Sequence, residues 1–168
     1  ALREIAAEIL TEILEKGQYT HLALFQALSK YQYLEKSDRS FLKRIVDGTV
    51  EYKIQIDYII NAYSKTKVHK MKPFIRTLLR MSVYQIYYMD RVPDSAACNE
   101  AVRLAKKRGF SGLSGFVNGV LRSVARGKGK LTFPDDSVRY SIPDWILSLW
   151  KENYGAETTH RMAQAGLE

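Results

Sequence analysis

DRVPDSAACNEAVRLAKKRGFSGLSGFVNGVLRSVAR, residues 90–126, reads as two amphipathic helices joined by a glycine-punctuated loop. Pro93 interrupts the preceding pattern, and Asp94 or Ser95 is placed to cap a helix whose apolar positions are Ala97, Ala101, Leu104 and Ala105. Gly109, Gly112 and Gly115 mark the loop, and Phe116 to Ala125 repeats Val117, Val120, Leu121 and Val124 at helical spacing. From Ala101 to Pro134 there is no Asp or Glu, yet the run holds Arg103, Lys106, Lys107, Arg108, Arg122, Arg126, Lys128 and Lys130. Those eight cations equal the whole formal net charge of +8, so the rest of the chain is nearly neutral. Charge gathered in this way points to a polyanionic partner, with RNA the first candidate.

Outward from this stretch almost everything keeps a helical period. Leu2, Ile5, Ala6, Ile9, Leu10, Ile13 and Leu14 make a stripe with Glu4, Glu8, Glu12 and Lys16 outside it, ended by Gly17. Thr20 is the expected cap of a second helix that turns Leu22, Ala23, Phe25, Leu28 and Tyr31 inward. A third starts at Ser37 or Asp38 and carries Phe41, Leu42, Ile45, Val46 and Val50. Gly48 inside it costs about 1 kcal/mol relative to Ala, which close approach of a neighbouring helix would offset. Ile56 to Tyr63 continues as a fourth helix after a bend, and Lys65 to Lys72 is a basic connector. Pro73 opens a helix with a wide apolar face of Ile75, Leu78, Leu79, Val83, Ile86 and Tyr87, the expected centre of the fold.

No strand-like alternation occurs, and seven helices with short connections predict an all-α bundle. After Gly127 the character shifts. Pro134 and Pro143 interrupt the chain, and no strong period returns until Trp145, Ile146, Leu149 and Trp150. These start a short helix ending near Gly155, and a last one runs over 156–165. Residues 1–130 are therefore read as one helical domain and 131–168 as a connector with a short helical extension.

Several classes are set aside by composition. Hydrophobic residues at 46% suffice for a core, and no run of about 18 apolar residues marks a membrane span. Charges inside the apolar pattern of ALREIAAEIL argue against a signal peptide. A single cysteine forms no internal disulfide and fits a reducing, cytoplasmic setting. Cys98 lies in an apolar helix stretch without a basic neighbour or His, so it reads as a packed thiol. His21, His69 and His160 have no metal-ligand spacing, GFSGLSG is not a nucleotide loop, and Asp135-Asp136 reads as a turn. No catalytic residue, cofactor or metal is assigned to this chain. It begins without Met and reads as a piece of something longer, with Leu167-Glu168 fitting a cloning scar.

The basic residues have two readings. Arg122 and Arg126 share a helix face, extended by Lys128 and Lys130, which favours phosphate contacts. Arg103, Lys106, Lys107 and Arg108 cluster at a helix C-terminus, where the macrodipole favours each cation by about 0.3–1 kcal/mol without any partner. Lys72, Arg76 and Arg80 line up at i, i+4, i+8 of the central helix. They fit an RNA face, or Arg80 is the buried partner of an acid. Tyr84, Tyr87 and Tyr88, interleaved with them, read as core or rim.

Ile45–Thr49 (IVDGT), Ile75–Arg80 (IRTLLR), Asp90–Gly109 and Gly115–Arg122 (GFVNGVLR) together resemble the NusB-like RNA-binding module over residues 2–127. Two branches share it: the free-standing transcription antitermination factor, and the N-terminal domain of Sun/RsmB-type ribosomal RNA cytosine-C5 methyltransferases. DRVP before the NEAV helix, the central LRMSVYQIYYMD, Arg3-Glu4-Ile5-Ala6 and the tail SVRYSIPDW at 137–145 with Tyr154-Gly155 are similar to the second. The resemblance implies an S-adenosylmethionine-dependent parent acting on small-subunit ribosomal RNA, with its cofactor site and catalytic cysteines beyond residue 168. The implied partners are ribosomal RNA and the parent's own missing catalytic domain. It also implies an RNA contact at Arg3, while Asn99, Glu100 and Asn118 match the motifs as structural hydrogen-bonders. The antitermination factor and a protein–protein docking scaffold, using Trp145 and Trp150, stand as alternatives.

Overall fold

The computed structural model describes residues 2–166, so the Leu167-Glu168 ending lies outside the described residues. Ten α-helices and no strand are present among them. The first seven are α1 (Leu2–Leu10), α2 (Thr20–Lys30), α3 (Lys36–Glu51), α4 (Lys53–Tyr63), α5 (Pro73–Tyr88), α6 (Asp94–Lys107) and α7 (Ser114–Arg126). The extension holds α8 (Asp136–Tyr140), α9 (Asp144–Tyr154) and α10 (Ala156–Gly166).

The apolar stripe of the first segment outlasts its α-helix. At Thr11 the ladder widens into a π-helical turn, Thr11–Glu15, while Thr11 Oγ1 donates to the Ala7 carbonyl at 2.8 Å. The extra residue per turn rotates Glu15 inward, with consequences below. At α2 the expected face is corrected. Ala23 and Leu24 are buried, while Leu22 and Phe25 are 43% and 69% exposed. A single apolar residue more or less decides the orientation of so short a helix, and Leu24 packs against the core in place of Phe25. Thr20, Ser37, Asp94 and Ser95 all sit within their helices and make no capping bond. Asp135 does cap: it accepts from the Val138 amide at 3.0 Å, so the expected turn begins a helix.

α5 is buried on nearly all sides, including Thr77, Arg80, Ser82 and Gln85, and α1, α3, α4, α6 and α7 pack around it. This central position follows from its apolar breadth; truncating Leu78, which is fully buried, would cost ~2–5 kcal/mol. Gly48 is required on α3 by close approach: a Cβ there would overlap the Tyr84 ring of α5. Tyr52, Tyr84 and Tyr88 form an aromatic cluster at this crossing, with Tyr52 and Tyr88 ring centroids 4.2 Å apart. Burial pushes the Tyr88 phenol well above its ordinary value.

The extension has a small cluster of its own, Tyr140, Leu147 and Ala163 with Ile142 and Trp150 against it. On α9 the buried residue is Leu147, whereas Trp145 is 69% exposed. The extension is also stitched to the bundle. α4 follows α3 without a side-chain cap of its own. Ser141 Oγ accepts from the Ile54 and Gln55 amides at 3.2 and 3.4 Å, supplying from the extension what those first-turn donors lack. Gln55, buried, donates to the Arg139 carbonyl at 2.8 Å and accepts from the Tyr88 hydroxyl.

Candidate nucleic-acid interface

The structure divides the predicted cations into groups with different electrostatic fates. Arg76 and Arg80 turn inward. Arg76 Nε donates to Glu15 Oε1 at 2.5 Å, and its Nη2 donates to Glu15 Oε2. Arg80, whose side chain is 7% exposed, donates Nε and Nη2 to Asp57 Oδ1 and Oδ2 at 2.8 and 3.1 Å, with Glu15 also beside it. The Arg76 hydrogen bond holds the Glu15 carboxyl below its ordinary range, against the opposing effect of burial. Both arginines are thereby corrected from an outward face to internal partners, and only Lys72, exposed at the start of α5, remains from that line.

The end of α6 is taken up by α1. Lys107 Nζ reaches Glu4 Oε1 at 2.8 Å, and Arg108 donates to Glu4 Oε2 at 3.0 Å and Glu8 Oε1 at 2.6 Å. Arg103 pairs with Glu100 at 3.0 Å. The hydrogen bonds from Lys107 and Arg108 keep the Glu4 carboxyl below its ordinary range. Exposed pairs like these add only about 0–1 kcal/mol each, but they cancel much of the field that this cluster offers to an anion. Lys106 makes no ion pair among the described residues.

The cations at the end of α7 make no ion pair among the described residues. Arg122 donates Nη2 to Asn99 Oδ1 at 2.8 Å and Nε to Asn118 Oδ1 at 3.2 Å. Arg126 donates to Ser123 Oγ at 3.2 Å. Neutral amide and hydroxyl oxygens aim these guanidiniums without cancelling their charge, and an oriented, uncancelled guanidinium suits a phosphate. Lys128 and Lys130, both exposed, continue the edge without an ion pair among the described residues. The Asn99 and Asn118 side chains thus have the structural role expected of them. Arg3 is placed elsewhere: half-buried, it donates Nε to Gln85 Oε1 at 2.8 Å and lies 5.4 Å over the Phe41 ring. Burial lowers its pKa, while Glu100 opposes the shift.

A further set of cations escapes any reading of the helices one at a time. The connector carries Lys65, Lys67 and Lys70 besides Lys72, all exposed and without ion pairs among the described residues. Tyr63 OH donates to the Gly127 carbonyl at 3.3 Å, and a Cβ at Gly127 would overlap the Tyr63 ring. This close approach ties the start of the connector to the end of α7. The available signal was a second acid-free stretch, Tyr58 to Met89.

Gly112 lies in a 3-10 turn, Ser111–Leu113, Gly109 precedes it and Gly115 is in the first turn of α7, with no strand among the described residues to present them, and the Cys98 thiol is fully buried, its pKa raised by that burial. No group of three or more His, Cys, Asp or Glu among the described residues is arranged to hold a metal. No helix among them is long and apolar enough to cross a membrane.

The fold is an all-helical bundle wrapped around a buried central helix, with cations at the end of α7 and along the connector that make no ion pair among the described residues. The NusB family profile matches residues 1–126, and the chain belongs to the NusB family. It is 36% identical to a probable ribosomal RNA small subunit methyltransferase B of Bacillus subtilis (strain 168), over 99% of this chain and 38% of that protein. It is 35% identical to the transcription antitermination protein NusB of Symbiobacterium thermophilum, over 81% of this chain and 94% of that protein. Among solved structures, antitermination factors NusB and NusE in complex with double-stranded RNA superpose with a TM-score of 0.69 at 21% identity, over 75% of this chain and 94% of that one. The chain therefore spans little more than a third of the length of the methyltransferase relative.

Proposed function

We propose that this module holds ribosomal RNA by its phosphates for a cytosine-C5 methyltransferase whose catalytic part is not in this chain. The observation that carries the reading is the α7 edge, where Arg122, Arg126, Lys128 and Lys130 follow one another without an ion pair to a carboxylate among the described residues. Similarity to the methyltransferase relative through 99% of the chain, extension included, supports this branch over the free-standing factor. On this reading S-adenosylmethionine and the catalytic cysteines belong to the remainder of a cytoplasmic parent enzyme. The exposed Trp145, Leu149 and Tyr154 offer that remainder an apolar contact.

Phosphate binding releases counterions. With four cations engaged, log affinity for ribosomal RNA should fall with log salt at a slope of about −3 to −4. The double substitution Arg122→Glu and Arg126→Glu should lower affinity at least about tenfold and flatten that slope while the helical circular dichroism is retained. A slope near zero in the unsubstituted protein, or unchanged binding in the variant, overturns the reading.

A further inference from the structure

Where the connector crosses the start of α7, it leaves a groove of about 260 Å³. Its wall is apolar: Met71 and Ile75 from one side, Leu113 and Phe116 from the other. Lys70 and Lys72 stand at its rim, exposed and without ion pairs among the described residues. Drug-sized ligand pockets run from ~300 to 1,000 Å³, so this one is sized for a single ring system. We infer that the groove receives one unpaired nucleobase of a bound RNA, with Lys70 and Lys72 on the phosphates flanking it.

Three observations choose this occupant. The apolar wall includes an aromatic side chain, and a base offers a flat face to any apolar or aromatic surface, which makes stacking tolerant of sequence. The charged residues lining the groove are both cations, and both segments that build it lie in acid-free runs, Tyr58 to Met89 and Ala101 to Pro134, so a cationic peptide meets repulsion there. The connector that builds the groove also reaches the candidate interface. From the groove it runs through Lys67 and Lys65 to Tyr63, which is bonded to Gly127 beside Arg126 and Lys128. Phosphates held along the α7 edge therefore lead to the groove, and only a single-stranded segment has a base free to enter it.

The inference rests on the RNA reading above, and its test separates the two. Thr66 lines the mouth of the groove, is exposed, and takes part in local bonding only through its backbone with Ser64, so Thr66→Trp fills the mouth without disturbing the fold. The probes are a short single-stranded oligoribonucleotide bearing one 2-aminopurine and the same strand annealed to its complement. The unsubstituted protein should quench the 2-aminopurine of the single strand. Thr66→Trp should abolish the quenching and weaken single-strand binding about five- to tenfold, with duplex affinity and the salt slope unchanged. Equal weakening of both probes, or no effect on either, overturns the groove while a normal salt slope keeps the phosphate edge. Competition by an acidic peptide as effective as the single strand also overturns it. If neither probe binds at low salt, the groove falls together with the RNA reading.

Discussion

The two ends of the α6–α7 hairpin come from one acid-free run of sequence, hold the same residue types, and have opposite electrostatic outcomes. At the α6 end, Lys107 and Arg108 meet Glu4 and Glu8 of α1. At the α7 end, about 18 Å away along the helix axis, Arg122 and Arg126 meet amide and hydroxyl oxygens and no carboxylate among the described residues. An acid-free stretch of chain is thus not an acid-free surface. What distinguishes a phosphate site from a stabilised helix end is whether a distant helix brings carboxylates, and here α1 serves one end only. The internal pair Arg76 and Arg80 is the limiting case, with both guanidiniums taken up by Glu15 and Asp57.

The sharpest break of this comparison is at Arg80. Arg80→Ala leaves Asp57 with only the half-exposed Lys53 and Glu15 with only Arg76, and should destabilise the bundle by about 1–3 kcal/mol in a denaturant titration, with little change in RNA affinity of the folded fraction. Lost RNA affinity at unchanged stability would return Arg80 to the interface. The same network carries a pH signature. Because the folded Glu15 carboxyl titrates below its unfolded value, its contribution is present above about pH 4.3 and is lost as pH falls through the lower folded value. The stability gap between the parent protein and Glu15→Gln should therefore be full at neutral pH and close in acid; a gap that widens in acid would refute the assignment.

The hairpin ends themselves are compared by charge reversal. Lys128→Glu with Lys130→Glu should cost about tenfold in RNA affinity and reduce the magnitude of the salt slope by about 1–2, whereas Lys107→Glu, with Arg108 left in place, should change the slope by well under about 1. Equal effects would mean that the Glu4 and Glu8 pairings open on binding. The smallest effect is expected at the seam between bundle and extension. Ser141→Ala removes the acceptor for two α4 amides and should cost about 1 kcal/mol, read as a lowered midpoint of thermal unfolding. No change would show that α4 keeps its first turn without the extension.

Much of the fold was legible. The burial of α5, the close approach at Gly48 and the packed Cys98 each follow from a local signal: an apolar face too broad for a surface helix, a helix-breaking residue retained mid-helix, and a thiol beside alanines. Failures came where local signals were nearly balanced. α2 carries apolar residues around more than one face, so Leu24 displaced Phe25 by the fit to neighbours that no short window contains. The π-helical turn was also hidden, because its apolar stripe is compatible with an ordinary helix. At the site, Arg122, Arg126, Lys128 and Lys130 could be picked out as a continuous edge, but the connector joins them only through the Tyr63–Gly127 contact.

Periodicity and composition by themselves determined an all-helical bundle, its central helix, and a concentration of positive charge too large for helix ends alone. Tertiary structure decided which of those charges remain available. The carboxylates that neutralise Arg76 and Lys107 lie 61 and 103 residues away along the chain, and Coulomb interactions depend on separation in space, which only the packed helices set.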